Sequence, residues 1–172
     1  MARPPAPSTA KPSAALLPAA RPPARRIDRG MLPTLLGYAM RRAQSAVFAD
    51  FAATFTQAGE ALTPGEFGLL VLVERNTGLS QMALARALGI DRSTLVPILD
   101  RLQARGLLVR HRSPTDARTH ALGLTADGEA ALARFTRLVK AHEKHIASGL
   151  SASETRTLIE LLEKVHAAAR SL

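Results

Sequence analysis

The chain has 172 residues and no cysteine, which suits one ordinary domain with a tail and excludes disulfides, thiol nucleophiles and thiolate metal sites. Its formal net charge of +9 favours a polyanionic partner such as nucleic acid. No stretch approaches the roughly 18 to 20 consecutive apolar residues that a membrane span needs, so we expect a soluble protein of the bacterial cytoplasm.

The first 29 residues are rich in proline, alanine and arginine, and they hold seven of the eleven prolines. This composition shows no apolar periodicity and cannot build a core, so we predict a disordered tail over residues 1–29. The tail carries a net charge of +5, which leaves +4 for residues 30–172. Its longest apolar run, Ala14–Leu17, is too short for a secretory signal, and we expect only nonspecific attraction to phosphate.

Helical periodicity then predicts a long first helix over residues 31–57, because apolar residues recur every three or four positions. Gly59 and its polar neighbours end this helix. Thr63-Pro64-Gly65-Glu66 is a capping box with proline at the first helical position, which predicts the start of a second helix. Gly78 helps to stop that helix, and Ser80 is placed to cap a third.

Residues 80–102 have the pattern of a helix-turn-helix motif. A short helix with the small residue Ala85 at the helix crossing is followed by a turn at Gly89 and by a second amphipathic helix. On the second helix three leucines share one face, whereas Ser93 and Pro97 lie roughly opposite. That exposed face would enter the major groove, although the proline removes a backbone hydrogen bond and favours a kink.

A β-hairpin follows, because extended runs at Leu107–Arg112 and Thr119–Leu124 flank the turn-forming loop Ser113–Arg118. A hairpin directly after a recognition helix forms a wing, whose tip is basic at Arg118 and can reach a minor groove. Between residues 86 and 118 seven arginines stand against three aspartates, a net charge of +4. The positive charge of residues 30–172 is therefore concentrated in the motif.

Two further helices close the chain, one capped by Thr125 and one opened by the capping box Ser151-Ala-Ser-Glu154. The first and last helices show more apolar face than one subunit can bury, so we expect them to pair in a homodimer. The predicted fold is mainly α with a small β-hairpin wing. It comprises a winged helix-turn-helix lobe over residues 63–125 and dimerisation helices over residues 31–57 and 126–170.

The exposed positions of the motif are the candidate contacts to double-stranded DNA. Arg92, Ser93 and Thr94 could simply begin a helix after Asp91, but within this motif contact with bases or phosphates is favoured. The ten predicted contacts are Ser80, Gln81, Arg92, Ser93, Thr94, Pro97, Arg101, Arg112, Asp116 and Arg118.

Together these features resemble the MarR family of multiple-antibiotic-resistance regulators, over residues 31–170. The motifs that carry the resemblance are Gly106-Leu107-Leu108-Val109 after the recognition helix, Asp116-Ala117-Arg118 in the wing and Leu124-Thr125-Ala126-Asp127-Gly128 at the next helix. The resemblance implies that Arg118 inserts into the minor groove and that Asp116 shapes the wing. It also implies a ligand pocket between the dimerisation region and the DNA-binding lobe.

Two branches of that family share features with this chain. Ser93–Leu99 looks like the organic-hydroperoxide-sensing branch, but that branch senses with a cysteine, so the composition excludes its mechanism. The first helix over residues 37–51 is similar to regulators of aromatic-acid catabolism, including those that answer to hydroxycinnamoyl or benzoyl coenzyme A thioesters. This second resemblance implies a small aromatic acid or its thioester as effector.

Five residues are candidates for binding such an effector. Tyr38, Phe51 and Phe67 could line an aromatic cavity, and Arg41 or Arg42 could pair with a carboxylate or phosphate. The alternative interpretation is that the aromatic residues belong to the core and the two arginines to a solvated helix face.

The predicted function is a sequence-specific transcription regulator, most simply a repressor that its ligand releases from a palindromic operator. The alternatives are a ligand-independent architectural DNA-binding protein and a metal-responsive regulator using His142 and His145. These histidines lack the HExxH spacing, so solvated surface is the simpler interpretation. No catalytic grouping or phosphate loop stands out, so we expect neither an enzyme nor a cofactor, and we expect the protein at the bacterial nucleoid.

Overall fold

Six α-helices and one antiparallel hairpin make up residues 27–76, 78–112 and 120–170, which the computed structural model describes. In chain order the elements are a 3₁₀ turn (Leu32–Thr34), α1 (Leu36–Gln57), α2 (Pro64–Arg75), α3 (Gln81–Leu88), α4 (Arg92–Ala104), β1 (Leu108–Arg112), β2 (His120–Leu124), α5 (Ala126–Ile146) and α6 (Ala152–Ala169). This order confirms the predicted mainly helical fold with a β-hairpin. Most of the predicted disordered tail, residues 1–26, lies outside the described residues.

Side-chain caps begin four of the helices. At α2 the Thr63 Oγ1 accepts the Glu66 N–H at 3.2 Å, while the Glu66 carboxylate accepts the Thr63 N–H at 2.9 Å. The other capping side chains belong to Ser80, Thr125 and Ser151. Each cap satisfies backbone donors that the helix leaves open and stabilises the fold by about 1 kcal/mol. All four predicted caps are therefore confirmed.

The recognition helix α4 is held by a stripe of leucines. Leu95, Leu99 and Leu102 are each at most 1% exposed and face the same core as Phe55 of α1 and Phe135 of α5. The rings of these two phenylalanines lie 5.7 Å apart. Burial of a leucine side chain contributes about 1.5–3 kcal/mol, so this stripe fixes which face of α4 points inward.

The turn between α3 and α4 has the predicted geometry. Gly89 ends α3 in the left-handed region with φ at 65°, which a residue without Cβ adopts without strain. Ala85 is buried at the crossing of the two helices. Just before α3, the Leu79 carbonyl accepts the Leu122 N–H at 3.2 Å, so the start of the motif is attached to strand β2.

Helix α5 begins in close contact with the turn that precedes β1. The Thr125 Oγ1 donates to the Gly106 carbonyl at 2.5 Å, and the Thr125 N–H donates to the Leu107 carbonyl at 3.2 Å. A Cβ on Gly128 would lie 3.0 Å from the Leu107 carbonyl carbon and closer still to its oxygen. Only glycine fits at this position, which gives a physical reason for the Leu124–Gly128 motif.

The last helix leaves its apolar side chains on the surface of the subunit. Helix α6 has no buried residue, and Leu158, Ile159, Leu161 and Leu162 are 40–57% exposed. Exposed leucines also occur near the start of α1. A stripe of this kind is typical of a helix that packs against a partner. No helix in the described ranges is long and apolar enough to span a membrane.

Candidate nucleic-acid interface

The N-terminal half of α4 presents polar side chains to solvent. Arg92, Ser93 and Thr94 are all exposed, while Leu95 directly after them is buried. Asp91 occupies the N-cap position, but its side chain makes no capping hydrogen bond. The positive end of the helix dipole and an arginine therefore meet at one exposed helix end.

An open groove of about 960 Å³ lies beside this helix end. It brings together three predicted DNA contacts and three basic residues that the sequence reasoning missed. Among the lining residues are Ser80, Gln81, Arg86, Arg92, His166 and Arg170. The exposed face of α3 could have indicated Arg86, whereas the position of the α6 residues depends on tertiary packing that no local pattern reports.

The guanidinium of Arg101 has a partner inside the subunit. Its Nε and Nη2 lie 3.3 and 3.2 Å from Oε1 of Glu66, a residue that is only 5% exposed. One turn later, Arg105 donates to the Ala61 carbonyl at 2.7 Å. The sequence analysis predicts Arg101 as a DNA contact, whereas within the subunit its guanidinium is already paired with Glu66.

A second ion pair joins the wing to the recognition helix, because Arg110 of β1 lies 2.5 Å from Asp100 of α4. Three arginines of the motif, at positions 101, 105 and 110, thus make internal contacts. Arg86 and Arg92 are exposed and, within the described ranges, form no ion pair with an acidic side chain. Among the described arginines of the motif, the positive charge available to a partner therefore lies nearer the N-terminal end of α4 than the positions of all the arginines would indicate.

The remaining predicted DNA contacts fall in three places. Pro97 lies inside α4 on its exposed face, as its position in the sequence predicts. Arg112 ends β1, where its backbone is in register with His120. The side chain of Arg112 lies outside the described part of the chain, and so do Asp116 and Arg118.

The five predicted effector residues do not form one small pocket within the subunit. Arg41 and Arg42 lie over the Tyr38 ring, with guanidinium carbons 5.5 and 5.8 Å from its centroid. Phe51 is buried thirteen residues further along α1, roughly 20 Å away at 1.5 Å per residue. Phe67 packs against the core from α2. A small aromatic acid can therefore contact Tyr38 or Phe51 of one helix, but not both.

The two histidines of α5 both contact Asp50 of α1. The Nδ1 atoms of His142 and His145 lie 2.7 Å from Oδ2 and Oδ1 of that carboxylate. His142 is 2% exposed and meets the Phe51 ring edge-on, so the expectation of solvated surface is wrong for it. The hydrogen bond from His142 is the largest cause that holds the pKa of Asp50 below its usual value, against desolvation.

Across the described ranges, no group of three or more His, Cys, Asp or Glu residues has a geometry that could hold a metal ion.

Comparison with known proteins identifies what this arrangement resembles. The MarR family model matches residues 62–119, which span the motif and part of the wing. A putative transcriptional regulatory protein for the hcr operon of Thauera aromatica is 42% identical over 137 residues, covering 80% of this chain and 82% of that protein.

Solved structures of regulators share the fold. The transcriptional repressor CouR bound to a 23-mer DNA duplex is 41% identical, with a TM-score of 0.77, covering 82% of this chain and 99% of CouR. CouR bound to p-coumaroyl-CoA is 39% identical, with a TM-score of 0.75 over 82% of this chain and 98% of CouR. The PcaV regulator of Streptomyces coelicolor with its natural ligand is 27% identical, with a TM-score of 0.75, over 83% and 99% of the two chains.

With 42% identity over four fifths of a curated regulator, the chain belongs to the MarR family.

Proposed function

We propose that this protein is a homodimeric repressor that binds a palindromic operator and is released by an aromatic acid or its coenzyme A thioester. The observation that carries the proposal is the two-sided α4, whose leucine stripe is buried while Arg92, Ser93 and Thr94 face solvent. A helix held in this way can insert its N-terminal residues into a major groove. As a member of the MarR family the protein is a DNA-binding regulator and not an enzyme.

The DNA contacts divide between the groove and the backbone of the duplex. Ser93, Thr94 and Pro97 face the base edges, while Arg92 and the start of α3 meet phosphates. The wing supplies a further set of contacts, with Arg118 in the minor groove and Asp116 shaping its loop. These proposed contacts are Ser80, Gln81, Arg92, Ser93, Thr94, Pro97, Arg112, Asp116 and Arg118.

The dimer forms through the dimerisation helices over residues 31–57 and 126–170. The exposed leucines of α6 and the apolar residues around the start of α1 supply a surface that a second copy would cover. A twofold axis then places the two α4 helices on half-sites about 10 bp, or a multiple of that, apart. This geometry favours a palindromic operator, and we expect the dimer to act at the nucleoid in the cytoplasm.

The effector class is supported by the relatives. CouR is described bound to p-coumaroyl-CoA, and PcaV with its natural ligand. In this chain the half-buried Tyr38 and the exposed Arg41 and Arg42 form a cluster that offers an aromatic ring and two cations. An aromatic ring with a carboxylate or phosphate suits such a cluster, whereas Phe51 and Phe67 are packed in or against the core.

Footprinting and gel-shift titration on the DNA upstream of the protein's own coding region test this function. A regulator should prefer its operator over random duplex by about 10³-fold or more at physiological salt. An architectural protein would show little preference. The titration is repeated with aromatic acids, with their coenzyme A thioesters and with coenzyme A alone. Release by one class identifies the effector, and release by none would refute the effector part of the proposal.

A further inference from the structure

The carboxylate of Glu66 makes more contacts than its role in a helix cap requires. Its Oε2 accepts the Thr63 N–H at 2.9 Å and the Thr63 hydroxyl at 3.1 Å, which completes the capping box of α2. Its Oε1 accepts Nε and Nη2 of Arg101 at 3.3 and 3.2 Å. A capping box needs only the first of these oxygens. The second oxygen joins the start of α2 to the recognition helix.

The arginine side of this contact is formed by two residues at the end of the recognition helix. Arg101 lies in the last turn of α4 and Arg105, four residues later, is its C-cap residue, so the two side chains project from the same side of the helix end. Arg101 reaches the carboxylate of Glu66, while Arg105 donates to the Ala61 carbonyl at 2.7 Å. Both arginines therefore contact residues 61–66, the segment that enters α2. We refer to Glu66, Arg101 and Arg105 as the α4 anchor.

We propose that Glu66 is a positioning residue for DNA recognition, and that Arg101 acts through Glu66 rather than by contacting DNA. This inference rests on the proposed function. Leucine packing is non-directional, so it fixes the inward face of α4 but tolerates small rotations and shifts of the helix. The two-donor contact from Arg101 to a buried carboxylate is directional, and it therefore sets the angle at which Arg92, Ser93 and Thr94 are presented.

The competing interpretation is that Arg101, whose side chain is 57% exposed, contacts phosphate in the complex. The two interpretations predict opposite results for Glu66→Gln. A phosphate-binding arginine released from its acidic partner would strengthen operator binding and steepen its salt dependence, by a slope of about 0.9 for each added contact. A positioning carboxylate, once removed, would weaken operator binding and leave the salt slope unchanged.

The experiment uses the full chain and the operator found by footprinting, with affinities measured between about 50 and 200 mM salt. Glu66→Gln and Arg101→Gln should each weaken operator binding by about tenfold to a hundredfold, as expected for charge-assisted hydrogen bonds. Binding to random duplex and the salt slope should stay unchanged. The double variant should be no weaker than the singles, because both remove the same contact.

Matched controls separate positioning from charge and folding. Arg137→Gln and Glu143→Gln make the same chemical changes on exposed positions of α5 and should bind the operator like the wild type. Arg101→Lys keeps the positive charge but loses the planar pair of donors, so it should weaken operator binding if Arg101 is an anchor and hardly at all if it is a phosphate contact. Thermal unfolding is measured for each variant to detect lost stability. Lost stability alone would lower operator and random-duplex binding together, so only a change in the ratio of the two affinities indicates a positioning role.

Several outcomes would overturn the inference. Glu66→Gln binding the operator as tightly as the wild type would refute it, and so would an Arg101→Gln variant with a shallower salt slope. If Glu66→Gln does not fold, the comparison of Arg101→Lys with Arg101→Gln decides alone. A wild-type protein without any operator preference would refute the proposed function itself, and this result is distinguishable because it needs no variant.

Discussion

Replacement of Gly128 by alanine tests the close approach of α5 to the turn before β1. The added Cβ would lie 3.0 Å from the Leu107 carbonyl carbon and 3.3 Å from its Cα, and closer still to the oxygen. These are backbone atoms, so they cannot rotate away as a side chain would. The start of α5 or the 106–107 turn must move, although both are joined by the hydrogen bonds of Thr125.

The magnitude follows from three contributions. Overpacking costs about 1–3 kcal/mol, and weakening the two Thr125 hydrogen bonds costs about 1 kcal/mol each. Alanine is favoured over glycine in a helix by up to about 1 kcal/mol, which offsets part of the loss. We therefore expect the free energy of unfolding to fall by about 2–4 kcal/mol, with a Tm lower by about 5–15 °C.

The measurement is urea unfolding of wild type and variants at one protomer concentration, since a dimer's stability depends on concentration. Gly65→Ala is the matched control, because Gly65 also lies in the first turn of a capped helix but has open space where a Cβ would stand. That control should leave stability unchanged or raise it. A Gly128→Ala protein as stable as the Gly65→Ala protein would refute the reasoning.

Arg92→Ala should weaken operator and random-duplex binding alike and reduce the salt slope by about 0.9 per subunit, as loss of a phosphate contact requires; an unchanged slope would contradict that role. Asp50 has a lowered folded pKa, so its stabilising effect is present above its ordinary pKa and is lost as the pH falls through the folded value. The stability of wild type should therefore exceed that of Asp50→Asn at neutral pH, and the difference should begin to shrink only below about pH 4, the ordinary pKa of Asp, and disappear once the pH is below the lower folded value. Leu161→Glu should shift the dimer toward monomer in sedimentation analysis, and an unchanged dimer would exclude the α6 face. Glu60→Gln removes the 3.4 Å pair with Arg134 of α5 and should raise the effector concentration needed for release more than it changes operator affinity; equal changes in both would argue against coupling.

The features that could be predicted from the sequence are those that depend on residues close together in the chain. Caps, the turn at Gly89 and the leucine stripe depend on spacings of three or four residues, and the structure has them where the spacing indicates. The internal partners could not be predicted in this way. Arg101 meets Glu66 across 35 positions and His142 meets Asp50 across 92, so only the folded arrangement of helices brings them together.

One missed residue did leave a sequence signal. The buried face of α5 includes Gly128, Leu132 and Phe135, and His142 lies seven residues after Phe135, where the same stripe returns after two turns. Its polarity suggested surface, whereas the periodicity indicates burial. A buried imidazole then needs a partner, which Asp50 supplies.

The connection between α1 and α2, together with the first turn of α2, contacts both the helical region and the recognition helix. Glu60 pairs with Arg134 of α5, Ala61 accepts from Arg105, and Glu66 holds Arg101. Only a few residues separate these contacts. A change in the distance between α1 and α5 would therefore be transmitted to α4 by movement of the backbone of residues 60–66. An effector bound near α1 needs to favour only one of two positions of this connection in order to change the presentation of α4. The α4 anchor, which we propose orients the recognition helix, would then also transmit the movement by which a bound effector displaces that helix from DNA.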